Sequence, residues 1–227
     1  MIAHEARRLL RCHCYGALCT LSKKLDGYPF GSIVPYLVDH DGSLLIFVST
    51  LAEHTRNILH DPRVSLITHD QRDPQIQSQG RVTVIGNAEP EPDRNQAGLR
   101  YLRYFPEAQN CYPMQDFSFY RIRPIAIRYI GGFGKIHWID MENYAVTQAN
   151  TFAEREEMLL AELNSQQHNF PMQLLHQCGI DAIDMQVIGL DCDGIDVRSG
   201  GKIRRLNFAE PISEPDLGVL ATLKMGE

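Results

Sequence analysis

The sequence predicts a mainly β plus α+β protein: an antiparallel β-barrel domain followed by a small α+β domain. Three observations predict it. Short β-type runs follow one another through the first two thirds of the chain, joined by tight polar turns. Two helices interrupt these runs internally, too few to act as the crossovers of a doubly wound parallel sheet. After Trp138 the texture changes to helices followed by three short β-type runs, which places the domains at residues 1–145 and 146–227.

Each element has a local reason. Residues 2–12 carry Ala6, Leu9 and Leu10 at near-helical spacing among arginines, a short surface helix. Residues 16–21 and 30–38 read as strands, with a turn around 23–27. The polar run Asp39-His40-Asp41-Gly42-Ser43 is a hairpin signal. Residues 44–49 are apolar on both faces, as in a buried strand. Residues 51–60 read as a helix with Thr50 as N-cap and Glu53 three residues later, a capping-box pattern. Residues 63–69 and 81–86 are further strands around a polar loop. Residues 93–104 form a helix, and 116–130 a long strand ending at Gly131-Gly132-Phe133-Gly134.

In the second domain, residues 151–164 and 171–178 read as helices, the latter stopped by Gly179. Strands follow at 182–190, 195–198 and 202–208. Asp193-Gly194 and Gly200-Gly201 are the expected hairpin turns, and 215–224 is a final amphipathic helix.

Composition narrows the function classes. The chain has 227 residues and a net charge of −6, an acidic balance that argues against nucleic acid as the main partner. No apolar run reaches the length of a membrane span. The charged start, with no apolar segment after it, gives no export signal, so a cytoplasmic, reducing compartment and free thiols are expected. Cys12-His13-Cys14 with Cys19 has two readings, a metal knuckle or small buried residues; the second cysteine pair of a structural zinc site is missing, and no metal is expected.

Common catalytic motifs are absent: no Walker loop, no G-x-S-x-G and no H-E-x-x-H. Gly131-Gly132-Phe133-Gly134 does not fit a dinucleotide fingerprint. Asp191-Cys192-Asp193-Gly194-Ile195-Asp196 resembles half of a calcium loop but lacks its closing Glu, and a hairpin is preferred. The remaining constellation is Ser49, Thr50, His54, Thr55, Arg56 and Asn57 at a helix start. Orphan N–H groups, hydroxyls and a cation there suit a phosphate, and a solvated helix with an ordinary cap is the competing reading.

Several segments together carry a family resemblance. They are Gly16-Ala17-Leu18-Cys19-Thr20-Leu21, the run Gly27-Tyr28-Pro29-Phe30-Gly31-Ser32-Ile33-Val34-Pro35-Tyr36, Leu51-Ala52-Glu53-His54-Thr55-Arg56-Asn57, Asp61-Pro62-Arg63-Val64-Ser65-Leu66 and Gly80-Arg81-Val82-Thr83-Val84-Ile85-Gly86. In this order they resemble the pyridoxamine 5'-phosphate oxidase-related FMN-binding split barrels. Asp116-Phe117-Ser118-Phe119-Tyr120-Arg121 and the Gly-rich turn with Lys135 narrow the likeness to the HugZ-type haem-utilisation branch. The run from Gly189 to Arg198 is similar to the α+β domain appended in that branch.

The resemblance implies an FMN-binding split β-barrel and a homodimer with flavin in clefts at the subunit interface. It implies an oxidoreductase acting on a flat conjugated substrate. Ser32, Ile33, Val34 and Pro35 would then line the isoalloxazine through backbone contacts. Ser49, His54, Thr55 and Arg56 would surround the phosphate, and Arg81 would stand near the flavin. The alternative it implies is a haem-binding or haem-degrading protein on the same dimer. In that reading Lys135 faces a propionate. His168 is the substitute iron contact, because the branch's H-M-N-x-D-H motif here reads Leu163-Asn164-Ser165-Gln166-Gln167-His168. Trp138 and Phe133 are core residues or the lining of a flat ligand.

Overall fold

Strands whose alternate residues are apolar bury one face, and in this chain that rule builds a single large antiparallel sheet around a core. The computed structural model describes residues 2–69, 75, 77–132, 134–146, 149–165, 185–216 and 220. The chain divides into two units, Met1–Ala145 and Val146–Glu227.

In the first unit a helix, α1 (Ile2–Arg11), precedes β1 (Tyr15–Leu21), β2 (Pro29–Pro35), β3 (Leu37–Val38) and β4 (Leu44–Ser49). Then come α2 (Glu53–His60), β5 (Arg63–His69), β6 (Gly80–Pro90), α3 (Arg94–Tyr104), a 3-10 turn at Pro106–Asn110, β7 (Phe117–Gly131), β8 (Ile136–Ile139) and α4 (Met141–Tyr144). The sheet order is β2-β1-β5-β6-β7-β4-β3, with β8 added to β7. Among the described residues all its ladders are antiparallel, the split-barrel arrangement. Leu18, Val34, Leu44, Ile46, Leu66, Val82, Val84 and Ile127 fill the inside, and Ala6 and Leu10 of α1 join the same core.

Four local differences from the sequence reading have physical causes. The strand read over 30–38 is two strands, because Tyr36 turns inward: it is 1% exposed, and its hydroxyl donates to the Leu10 carbonyl at 2.8 Å. Thr50 is not the N-cap of α2. Its own N–H donates to the Asp116 carbonyl at 2.7 Å, and the helix starts after Ala52 without a side-chain cap. The first hairpin of the second unit turns at Cys192-Asp193 rather than Asp193-Gly194, since Gly194 already pairs with Asp191. The short β8 and α4 lack the length that makes a periodic signal legible.

Two glycines answer to close contacts. Gly42 has φ +85° in the β3–β4 turn, and a Cβ there would lie 2.7 Å from the Tyr144 ring. Gly86 sits where β6 crosses the bulge at Pro124 of β7, and a Cβ would meet the Arg123 carbonyl at 2.1 Å. Proline donates no ladder hydrogen bond, so a bulge is where a central strand tolerates it.

In the second unit α5 (Ala149–Leu163) packs on a three-stranded antiparallel sheet, β9 (Gln186–Asp191), β10 (Gly194–Ser199) and β11 (Lys202–Asn207). Phe152, Leu159 and Leu163 meet Val187, Leu190, Ile195, Val197 and Leu206 in its core. Gly200-Gly201 makes the β10–β11 turn with positive φ at both residues, as expected. The helix read at 171–178, most of that at 215–224, and His168, His176 and Phe133 lie outside the described residues. No described helix is long and apolar enough to cross a membrane.

Candidate functional site

The first unit assembles candidate groups in two places. One is the junction of β4, α2 and the start of β7. Ser49 ends β4 opposite Phe117, which brings Asp116 beside it. The Ser49 hydroxyl donates to Asp116 Oδ2 at 2.7 Å and accepts the Leu51 N–H at 3.0 Å. Thr55, fully buried, donates to the Ser49 carbonyl at 2.7 Å. Asn57, also fully buried, accepts the Lys23 N–H through Oδ1 and donates through Nδ2 to the Thr20 hydroxyl, each at 2.9 Å. The hydroxyls and amide proposed as a phosphate cradle are thus committed to internal bonds that hold α2 against β1 and β4.

The cations at this junction differ in state. Burial pushes the His54 imidazole below its ordinary pKa, so it is neutral at neutral pH, and its Nε2 is buried with no hydrogen-bond partner. Arg56 is exposed and lies 3.8 Å from Glu53. On the sheet-edge strand β2, Ser32 and Val34 turn inward, while Ile33 is 66% exposed. The Ser32 hydroxyl oxygen is buried and has no hydrogen-bond partner.

The second place is the outer face of the same sheet. Residues of alternate register that are not in the core share it, and the ladders fix their neighbours. One row across four strands reads His69, Arg81, Ile130, Ile136; the next reads Ile67, Thr83, Arg128, Trp138. Ser65, Ile85 and Ala126 continue it, with Ala17 opposite Ile67 and Ile33 opposite Ala17. These positions are half-buried or exposed, and Trp138 is 61% exposed. The Arg128 guanidinium stacks 5.0 Å from the Trp138 ring centroid. Lys135, exposed, immediately precedes β8 at the end of the first row.

The fold therefore separates the residues named from sequence. Ser49, His54, Thr55 and Arg56 gather at one end of β7, while Arg81 and Lys135 gather at the other. Sequence reasoning gave no role to Asp116. It also missed the outer face, whose signal was sparse: Ile67, Ile85 and Ile130 stand among Ser65, His69, Thr83, Ala126 and Arg128 at the outward positions of β5, β6 and β7, where a fully solvated face carries polar residues.

In the second unit, Asp191, Cys192 and Asp193 bring their ligand atoms within 4.8 Å of one another. The Arg205 guanidinium binds both Asp191 oxygens at 2.6 and 2.9 Å and Asp196 at 2.8 Å, so a buried arginine supplies the positive charge at this hairpin.

Residues 1–146 match the β-barrel domain of the CREG family. The chain belongs to the CREG β-barrel family. Members of this split-barrel family share the sheet described above, and the resemblance drawn from the sequence agrees with it. Of known relatives, the "Non-canonical heme oxygenase HOZ, chloroplastic" of Arabidopsis thaliana is 31% identical over 202 residues. The match takes in 86% of this chain and 62% of that protein, so this CREG-family chain spans less than two thirds of its relative. A protein of unknown function from Agrobacterium tumefaciens has the same fold, with TM-score 0.76 and 24% identity over 93% of this chain and 90% of that one. A heme binding protein from Mycobacterium smegmatis superposes with TM-score 0.60 and 29% identity, over 94% of this chain and 91% of that one.

Proposed function

We propose that this CREG-family chain binds haem between two copies of itself and serves in haem degradation. The outer sheet face carries the reading. Ile33, Ile67, Ile85, Ile130 and Trp138 give it an apolar, partly uncovered surface. A second copy laid on that face would take this area out of water, the largest gain open to an exposed apolar sheet. At its end, Arg81, Arg128 and Lys135 add positive charge, and none of the described face positions in the rows above is acidic. A flat conjugated ligand with two carboxylates fits both properties: apolar contact for its ring and guanidinium groups for its anions.

Bound haem would supply a redox-active iron for ring oxidation with dioxygen and an external reductant. The residues of the chain would place it: isoleucines and Trp138 exclude water from the ring, and Arg128, Arg81 and Lys135 hold the carboxylates. The haem-related Arabidopsis and Mycobacterium proteins support this reading. The cysteines Cys12, Cys14, Cys19, Cys111 and Cys192 are thiols, in keeping with a reducing, cytoplasmic setting.

FMN is the second reading, and a specific observation favours it. The orphaned Ser32 hydroxyl and His54 Nε2 would both be satisfied by polar atoms of a ligand lying along Ser32, Ile33, Val34 and Pro35. Against it stands the Asp116 carboxylate, which occupies the Ser49 hydroxyl and would repel a phosphate held by Ser49, Thr55 and Arg56. Titration of the purified chain with haemin and, separately, with FMN tests both. A Soret band with a saturable, one-site isotherm is expected for haemin. Tight FMN binding with no haemin isotherm would replace the haem reading by the flavin one.

A further inference from the structure

Resting on the haem reading, we infer that His69 would hold the iron of a bound haem. Two observations support this assignment. His69 is the last residue of β5 and shares the outer face with Ile67 and Ser65, alternating with buried Val64, Leu66 and Thr68. Its Nδ1 lies 3.0 Å from the Gln79 side-chain oxygen. An amide oxygen only accepts, so Nδ1 is the donor in this contact. A second group that fixes the tautomer and aims the other nitrogen outward is the usual support of a metal-bound imidazole.

The surroundings supply the rest of the site. Arg81 stands directly across from His69, and Ile130 and Ile136 continue the row. At about 4.8 Å per strand, a porphyrin with its iron over His69 would reach across Arg81 toward Ile130. Arg128, one row further on the same face, keeps its guanidinium 5.0 Å from the Trp138 ring centroid and would meet a propionate there. Three other imidazoles of the first unit are placed differently: His40 is buried, His54 belongs to the opposite end of β7, and His137 lies on the register of buried Tyr129 and Ile139.

The test compares haem complexes of the full chain and its variants. Wild type with haemin, then reduced, should show the iron–histidine stretch in the resonance Raman spectrum. His69→Ala should lose that band and bind haemin at least tenfold more weakly, while His168→Ala should keep both. His69→Gly should regain the histidine-type spectrum on addition of imidazole, which a merely misfolded variant would not do. Gln79→Leu should weaken binding by about tenfold with the band shifted, as when the support of a bound imidazole is removed. Arg128→Gln should weaken binding and leave the ligand band in place. An iron–histidine band retained in His69→Ala would overturn the assignment while leaving the haem reading intact. Wild type that binds no haemin would overturn both.

Discussion

The Ser49 hydroxyl donates a 2.7 Å hydrogen bond to Asp116, a residue 67 positions away, and so joins the end of β4 to the start of β7. This bond occupies the Ser49 hydroxyl that the family resemblance assigns to a phosphate. Asp116→Ala removes a charged acceptor and leaves Ser49 without this partner. A partly exposed bond of this kind contributes about 1 kcal/mol. The expected result is a drop of that size in urea denaturation and tighter binding of FMN or inorganic phosphate than in wild type. Unchanged anion affinity would show that the carboxylate does not guard the site.

Asn57 holds α2 to the barrel through two bonds, one part-buried to the Lys23 N–H and one buried to the Thr20 hydroxyl. Asn57→Ala removes the partner of both. The expected loss is about 2–3 kcal/mol, read as a lower denaturation midpoint with an unchanged slope. A loss below about 0.5 kcal/mol would mean that water replaces the amide without penalty.

Acid sensitivity should centre on Asp39. Burial raises its pKa, but the Arg100 and Arg121 guanidinium groups outweigh burial and hold it at about 2, below the ordinary 3.8. Arg121 reaches it at 2.7 Å and Glu91 at 2.6 Å. A folded-state pKa below the unfolded one adds stability above the unfolded value, and that stability is lost as pH falls through the folded one. The contribution is about 2 kcal/mol. Stability should therefore fall between pH 4 and pH 2, and Asp39→Asn should flatten that segment of the curve.

Arg205 balances two buried carboxylates, Asp191 and Asp196. Arg205→Leu leaves them unpaired in the core of the second unit, a change expected to cost about 3–5 kcal/mol. Limited proteolysis should then cut within residues 146–227 well before it cuts the first unit. Equal protection of the two units would argue that Arg205 is dispensable.

The outer face predicts the oligomeric state. Ile85→Arg and Ile67→Glu put a charge in the middle of that apolar surface and leave the inner core residues Val84 and Leu66 in place. Light scattering should report a dimer for wild type and a monomer for either variant, with near-native circular dichroism. A dimer that persists in both variants would move the interface elsewhere.

Much of the architecture is local in origin and therefore legible in the sequence. Strands β1, β4, β5 and β7 follow from alternating or continuous apolar runs. The hairpin at Gly200-Gly201 follows from the need for positive φ, and α5 from its apolar spacing. The residue types of the candidate sites were legible as well, since Ser49, His54, Thr55, Arg81 and Lys135 lie on short motifs. Their grouping was not. The pairing of β4 with β7, and of β7 with β6 and β8, sets Asp116 against Ser49 and aligns His69, Arg81, Ile130 and Ile136 in one row. Such pairings join segments far apart in the chain, and their register is decided by which faces can be buried together. Sequence by itself determined most of the strands and turns and the chemical groups; only the pairing of the strands decided which groups bond inward and which share the outer face.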